Sequence, residues 1–206
     1  QTDSFAASSG TIETSGAGSH GMYALSHSTV RNTGSVTTSG EGACGMAAMN
    51  DSTARNSGAV TTSGAGSHGM VADANSRLVN EGTVATSGDA AYGMFANDHS
   101  VARNCGDITT SGAGSHGMVA NDNSEVFNIG ADSIVTWGEG AHGMVATNTS
   151  SADNSGSITT NGNAAFGMLA ETNTFATYSA TIVTDGNGSH GMVASADSVA
   201  TNSGSI

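Results

Sequence analysis

The chain is poor in basic residues. It has four, all arginine, against 17 acidic ones, for a formal net charge of −13 over 206 residues. Nucleic-acid binders need basic faces that displace counterions from phosphates, so the charge disfavours that role, as it does attraction to anionic lipid, and no nucleic-acid partner is expected. No run of about 20 apolar residues occurs, so no segment is expected to span a bilayer as a helix. Residues 1–10 have neither a basic start nor an apolar stretch and do not read as a signal peptide. Two cysteines, Cys44 and Cys105, cannot make a disulfide framework; they fall at different repeat positions and are expected to be free thiols. Proline is absent, aromatics are 4% and the apolar fraction is 36%. Such values resemble those of disordered chains, but the regular spacing of the apolar residues argues for a fold.

That spacing is a repeat. Gly-Met recurs at Met22, Met46, Met70, Met94, Met118, Met144, Met168 and Met192, a step of 24 residues every time but one. The exception is 26, with the extra pair placed at Ala131-Asp132. An Ile/Val column (Ile12, Val36, Val60 onward), a Thr column (Thr14, Thr38, Thr62 onward), an Ala column (Ala24, Ala48 onward) and an Asn column (Asn32, Asn56, broken at Tyr178) keep the same register.

Gly, Thr, Ser, Asn and Val dominate and no segment shows a 3.6-residue period, which excludes a helical solenoid. Identical columns at one fixed step are what stacking selects, because each residue then lies on its own copy one rung away. The expected fold is all-β: one continuous parallel β-helix over residues 1–206, about eight rungs, with three short strands per rung. It is expected to be right-handed, as parallel crossovers are, and to be a segment of a longer solenoid with both ends cut. The strands centre on Ile-Thr-Thr, on His-Gly-Met-Val-Ala and on Ser-x-Val-x-Asn. Alternation points Val36 and Thr38 inward, puts His20, Met22 and Ala24 together on the inner face, and makes the Asn column a buried amide ladder. Corner glycines are expected to supply the positive φ of tight turns.

The segment from Ile108 to Ala120, Ile-Thr-Thr-Ser-Gly-Ala-Gly-Ser-His-Gly-Met-Val-Ala, and corners such as Asn104-Cys105-Gly106 resemble the passenger-domain repeats of bacterial autotransporters. The likeness covers the whole chain. It implies a right-handed β-helix, export to the cell surface through a C-terminal barrel outside this chain, and adhesive, aggregative or stalk roles more often than catalysis.

Five residues are the candidate binding site. Arg31, Arg55 and Arg103 share one outward position of the third strand, Arg77 lies two residues earlier on its rung, and Trp137 stands on an outward column, as do Tyr23, Phe95 and Phe127. Stacked like charges disfavour folding unless paired or used. The strip therefore either recognises a sulfated or carboxylated glycan or an acidic protein, or is neutralised by Asp51, Glu81, Asp98 or Asp107. The His column (His20, His68, His116, His142, His190) is shared with Cys44, Tyr92 and Phe166, so it asks for a flat, half-buried ring; no metal is expected there. The Met column reads as core filler. Corner carboxylates such as Asp51, Asp98 and Asp122 do not follow a calcium-repeat pattern. Rungs of equal length leave no long loops to frame a catalytic groove, and neither a catalytic residue nor a cofactor is expected.

The reading is a non-catalytic bacterial surface or secreted β-helix, an adhesin or stalk that binds glycan, host protein or another copy of itself. An ice-binding solenoid is a second class, although its Thr rank is interrupted by Glu13, Ala85, Asp107 and Val135. A phage tail-spike or glycan-cleaving fragment is a third.

Overall fold

A computed structural model describes residues 3–130 and 133–206. The placement of the extra pair at Ala131-Asp132 lies outside the described residues. All regular structure among them is β, in three parallel sheets of nine, eight and eight strands. The Thr sheet runs from Thr11–Thr14 to Ile182–Thr184, the Met sheet from Met22–Leu25 to Met192–Ser195, and the Asn sheet from Phe5–Ser8 to Val199–Asn202. Every strand pairs with its own copy in the next rung: Val36 with Val60, Met46 with Met70, Asn56 with Asn80. The register survives the longer step, since Ile108 meets Ile134 and Met118 meets Met144. The chain is a β-solenoid of about eight turns with three strands per rung.

Alternation accounts for the core. Val36 and Thr38 point in, and so do Met46 and Ala48, with Val30, Ala54 and Leu78 from the Asn sheet closing the triangle. The apolar ones belong to one cluster along the axis. Each buried Ile, Val or Met contributes about 1.5–3 kcal/mol through the area removed from water. The inward polar side chains bond to their neighbours. Thr38 Oγ1 donates to the Ala43 carbonyl at 2.6 Å and Thr62 Oγ1 to that of Ser67 at 2.6 Å, tying each Thr strand to the following corner. Asn32, Asn56, Asn80, Asn104 and Asn128 pass amide hydrogen bonds up the stack at 2.8, 2.8, 2.8, 2.8 and 2.6 Å, ending on Asn154. The ladder stops at Tyr178, whose buried hydroxyl has no partner among the described residues.

The ladder sets a measurable cost. Asn80 accepts from Asn56 and from the Gly82 amide, and donates to Asn104 and the Gly82 carbonyl. Asn80→Leu keeps the volume and leaves these groups unmatched, so about 2–4 kcal/mol should be lost in a denaturant titration. An unchanged midpoint would show that the ladder only accompanies the stack.

Two expectations need correction. The histidines do not share the inner face with Met22 and Ala24. A Cβ on Gly45 would lie 2.2 Å from Val60 Cγ1, so Gly45 and Met46 both face the core. Two successive inward positions break the alternation at the corner and turn the preceding ring to the outside. The strand itself starts at Met, as in Met46–Met49. The corner backbone also differs from the expectation. Gly18, Gly42, Gly66, Gly114, Gly140 and Gly188 do adopt positive φ at one corner. The corner between the Met and Asn sheets instead uses consecutive non-glycine residues in the left-handed region, such as Asn50-Asp51 and Asp122-Asn123. Asn and Asp tolerate that region because their short polar side chains bond locally.

Candidate functional site

The Asn sheet carries the arginines. Arg31 and Arg55 are register partners on adjacent rungs, Val79 separates Arg55 from Arg103, and Arg77 pairs with Thr53 and Val101 on the same sheet. The four thus occupy consecutive rungs. Arg55 Nη2 lies 3.3 Å from Glu81 Oε1, and the other Glu81 oxygen accepts from Ser57. This is the one Arg–carboxylate pair among the described residues, so the neutralisation considered for the strip is realised for Arg55 alone. The pair is exposed and contributes at most about 1 kcal/mol. The Arg103 guanidinium sits over the Phe127 ring, 5.1 Å from its centroid, which holds the charge outward. Arg77, Arg103 and Phe127 border one shallow depression with His99 and Glu125. Trp137 is 58% exposed but follows the Thr strand Ser133–Thr136. It stands on another sheet, so the structure groups the four arginines and leaves Trp137 apart.

The outer face of the Met sheet has a second feature that alternation alone did not reveal. Its outward column reads Tyr23, Ala47, Val71, Phe95, Val119, Val145, Leu169, Val193. Val119, Val145 and Leu169 are only 6%, 5% and 8% exposed although they point away from the core. Tyr92, Phe95, Phe166 and Val193 pack against them, and two ladders flank the column. One is an unbroken ring stack, His68, Tyr92, His116, His142, Phe166, His190, with centroids 4.7–5.3 Å apart. The other is polar: Asn97 donates to Asp73 at 2.7 Å, Asn121 to Asn97 at 2.8 Å, and Thr147 to Asn121 at 2.8 Å. Between them runs a groove along the axis. The sequence did hold a signal for it, since an outward column that is apolar on every rung is not a solvated face.

The rings are neutral for a physical reason. His68, His116 and His142 Nδ1 accept the next rung's backbone N–H at 3.0, 3.0 and 2.9 Å, which places the proton on Nε2. Burial lowers their pKa to about 4, 3 and 4, and the neighbouring His142 charge lowers His116 further. The sole buried side-chain polar atom without a partner among the described residues is the Tyr178 hydroxyl, so the unpartnered Nε2–H groups reach solvent. Cys44 occupies the column one rung before His68 and ends the stack there; burial pushes its thiol up to about 11, so it is not a thiolate nucleophile at neutral pH. Cys105 is exposed, and both thiols are free. Among the described residues no three His, Cys, Asp or Glu side chains converge as metal ligands.

No curated protein and no solved structure matches the chain. One family model does, in overlapping stretches over residues 3–105, 33–132, 64–174 and 106–206, as a repeating sequence allows. Together these stretches span nearly the whole chain, which therefore belongs to the family of the BigA third pectate lyase-like domain.

Proposed function

We propose that this pectate lyase-like β-helix domain is a non-catalytic, adhesive rod of a bacterial surface or secreted protein, and that the arginine strip is its contact face. BigA is an autotransporter-like surface protein, which supports the location. The observation that carries the reading is the strip itself. A chain with a net charge of −13 gathers all four of its basic residues on consecutive rungs of one sheet. Arg31 and Arg77 have no ion pair among the described residues, and guanidinium groups match sulfate and carboxylate geometry. The partner is a sulfated or carboxylated glycan or an acidic protein surface. Rungs of nearly constant length, without an extended loop to enclose a substrate, support a passive role.

Beads carrying the chain should attach to surfaces coated with a sulfated glycan. Arg31→Ala/Arg55→Ala should reduce attachment about fivefold or more, and raising salt toward 1 M should do the same. Melting should shift little, because the one ion pair removed is exposed. Attachment unaffected by either change would refute the strip. Release of reducing ends or unsaturated products from a polysaccharide panel would refute the non-catalytic reading.

A further inference from the structure

We propose that the groove on the outer face of the Met sheet is a second binding site, and that it takes an extended, uncharged glycan laid along the solenoid axis. The groove forms two adjoining depressions of about 530 and 350 Å³ that share Phe95. Its floor is apolar but nearly covered, with Val119, Val145 and Leu169 below one-tenth exposed. A flat protein face would gain little by covering it, whereas a chain one unit wide fits between the walls.

The walls define the chemistry. No arginine lines either depression, and the charges present are the carboxylates of Asp73 and Glu171. An acidic polysaccharide or a phosphate polymer is therefore repelled, and a neutral chain is not. One wall offers Nε2–H donors from His68, His116 and His142. The other offers what its ladder leaves unused, the second amide hydrogen of Asn97 and the lone pairs of the Thr147 hydroxyl, since Asn121 is saturated by Asn97, Asp122, Thr147 and Asn148. Sugar hydroxyls both donate and accept, so they match a groove with donors on one side and mixed groups on the other, while a C–H face can rest on Phe95, the floor residue left partly exposed where the two depressions meet.

The period separates a glycan from a peptide. The site repeats at the rung spacing, 4.8 Å between the His116 and His142 rings. An extended peptide advances about 3.3 Å per residue, out of step with the rungs, so its residues meet the walls at a different height on each one. A linear hexose polymer, with a unit length comparable to the rung, keeps successive units in equivalent places.

The test uses the whole 206-residue chain. Binding is measured on immobilised linear neutral oligosaccharides of six or more hexoses, beside polygalacturonate, heparin and an extended cationic peptide. Two variants block the groove, Thr147→Trp from the wall and Val145→Lys from the floor, with circular dichroism to confirm folding; Thr201→Ala on the Asn sheet is the control. The expected result is binding to at least one neutral chain, at least tenfold weaker in a folded groove variant and unchanged in the control. Binding confined to the acidic polymers or to the peptide overturns the proposal. A panel silent for neutral glycans overturns it too; bead attachment that persists in Thr147→Trp would then leave the adhesive reading standing without the groove.

Discussion

Gly117→Ala is expected to destabilise the domain by about 3 kcal/mol and to lower its melting temperature by about 10 °C. The added methyl would stand 2.2 Å from Ile134 Cγ2 and 2.6 Å from the Gly143 carbonyl oxygen. Neither can yield. Ile134 is fully buried, and the Gly143 carbonyl sits where consecutive Met strands pair. In a solenoid a shift in one rung is passed to its neighbours, so the strain is not absorbed locally. Gly114→Ala is the contrast. Gly114 has φ +61° with nothing within 4 Å of the added methyl. Ala90 and Ala164 already occupy its column at φ 51° and 52°. Its cost should be about 1 kcal/mol. Thermal melts of the two single variants decide the matter. Equal destabilisation would mean that backbone conformation, not the approach of sheet to sheet, selects glycine in the Gly-Met column.

The same pair of glycine columns explains how far the fold could be read from sequence. Strand number, sheet membership and register were legible because stacking repeats each environment, so eight copies report on one position. Val36, Thr38, Met46 and Asn56 all lie where a two-residue period puts them. The period failed at Gly45, where two successive positions face inward because no side chain fits against Val60. That single irregularity moved the histidine column from core to surface. The left-handed corners at Asn50-Asp51 and Asp122-Asn123 were hidden for another reason: without glycine, a tight turn resembles any polar linker.

The candidate sites were legible to different degrees. The arginine strip could be read because charge is rare in this chain and its column position is unambiguous; the Arg55–Glu81 pair and the Arg103–Phe127 contact depend on neighbouring rungs and rotamers, which columns do not report. Trp137 looked like a partner of that strip only because both point outward, and a triangular rod has three outward faces. The groove was missed because its depth comes from the two flanking ladders, one placed by the glycine irregularity and the other by side-chain hydrogen bonds.

Acid should weaken the domain through the ring stack, by about 3–6 kcal/mol in total between pH 6.5 and 4. The unfolded chain takes up protons on His68, His116 and His142 once the pH falls through the ordinary histidine value of 6.5, while the folded chain holds these rings neutral down to about 4, 3 and 4. In that window the unfolded state binds more protons, so stability falls as pH falls; above pH 7 the three rings contribute no slope. Each contributes about 1–2 kcal/mol once its accessible edge is discounted. Protonating Nδ1 would also break the hydrogen bonds that His142 and Phe166 donate to it from the next rung, and would stack two cations 4.8 Å apart at His116 and His142. Phenylalanine is already accepted in this column at Phe166. The variant His68→Phe/His116→Phe/His142→Phe should therefore fold, lose about 1 kcal/mol per missing acceptor at pH 7.5, and show a flatter profile below pH 6.5. Denaturant midpoints of both proteins from pH 7.5 to 4 make the comparison; parallel profiles would mean that the rings do not govern the acid limb, and that the protons which unfold this rod bind elsewhere.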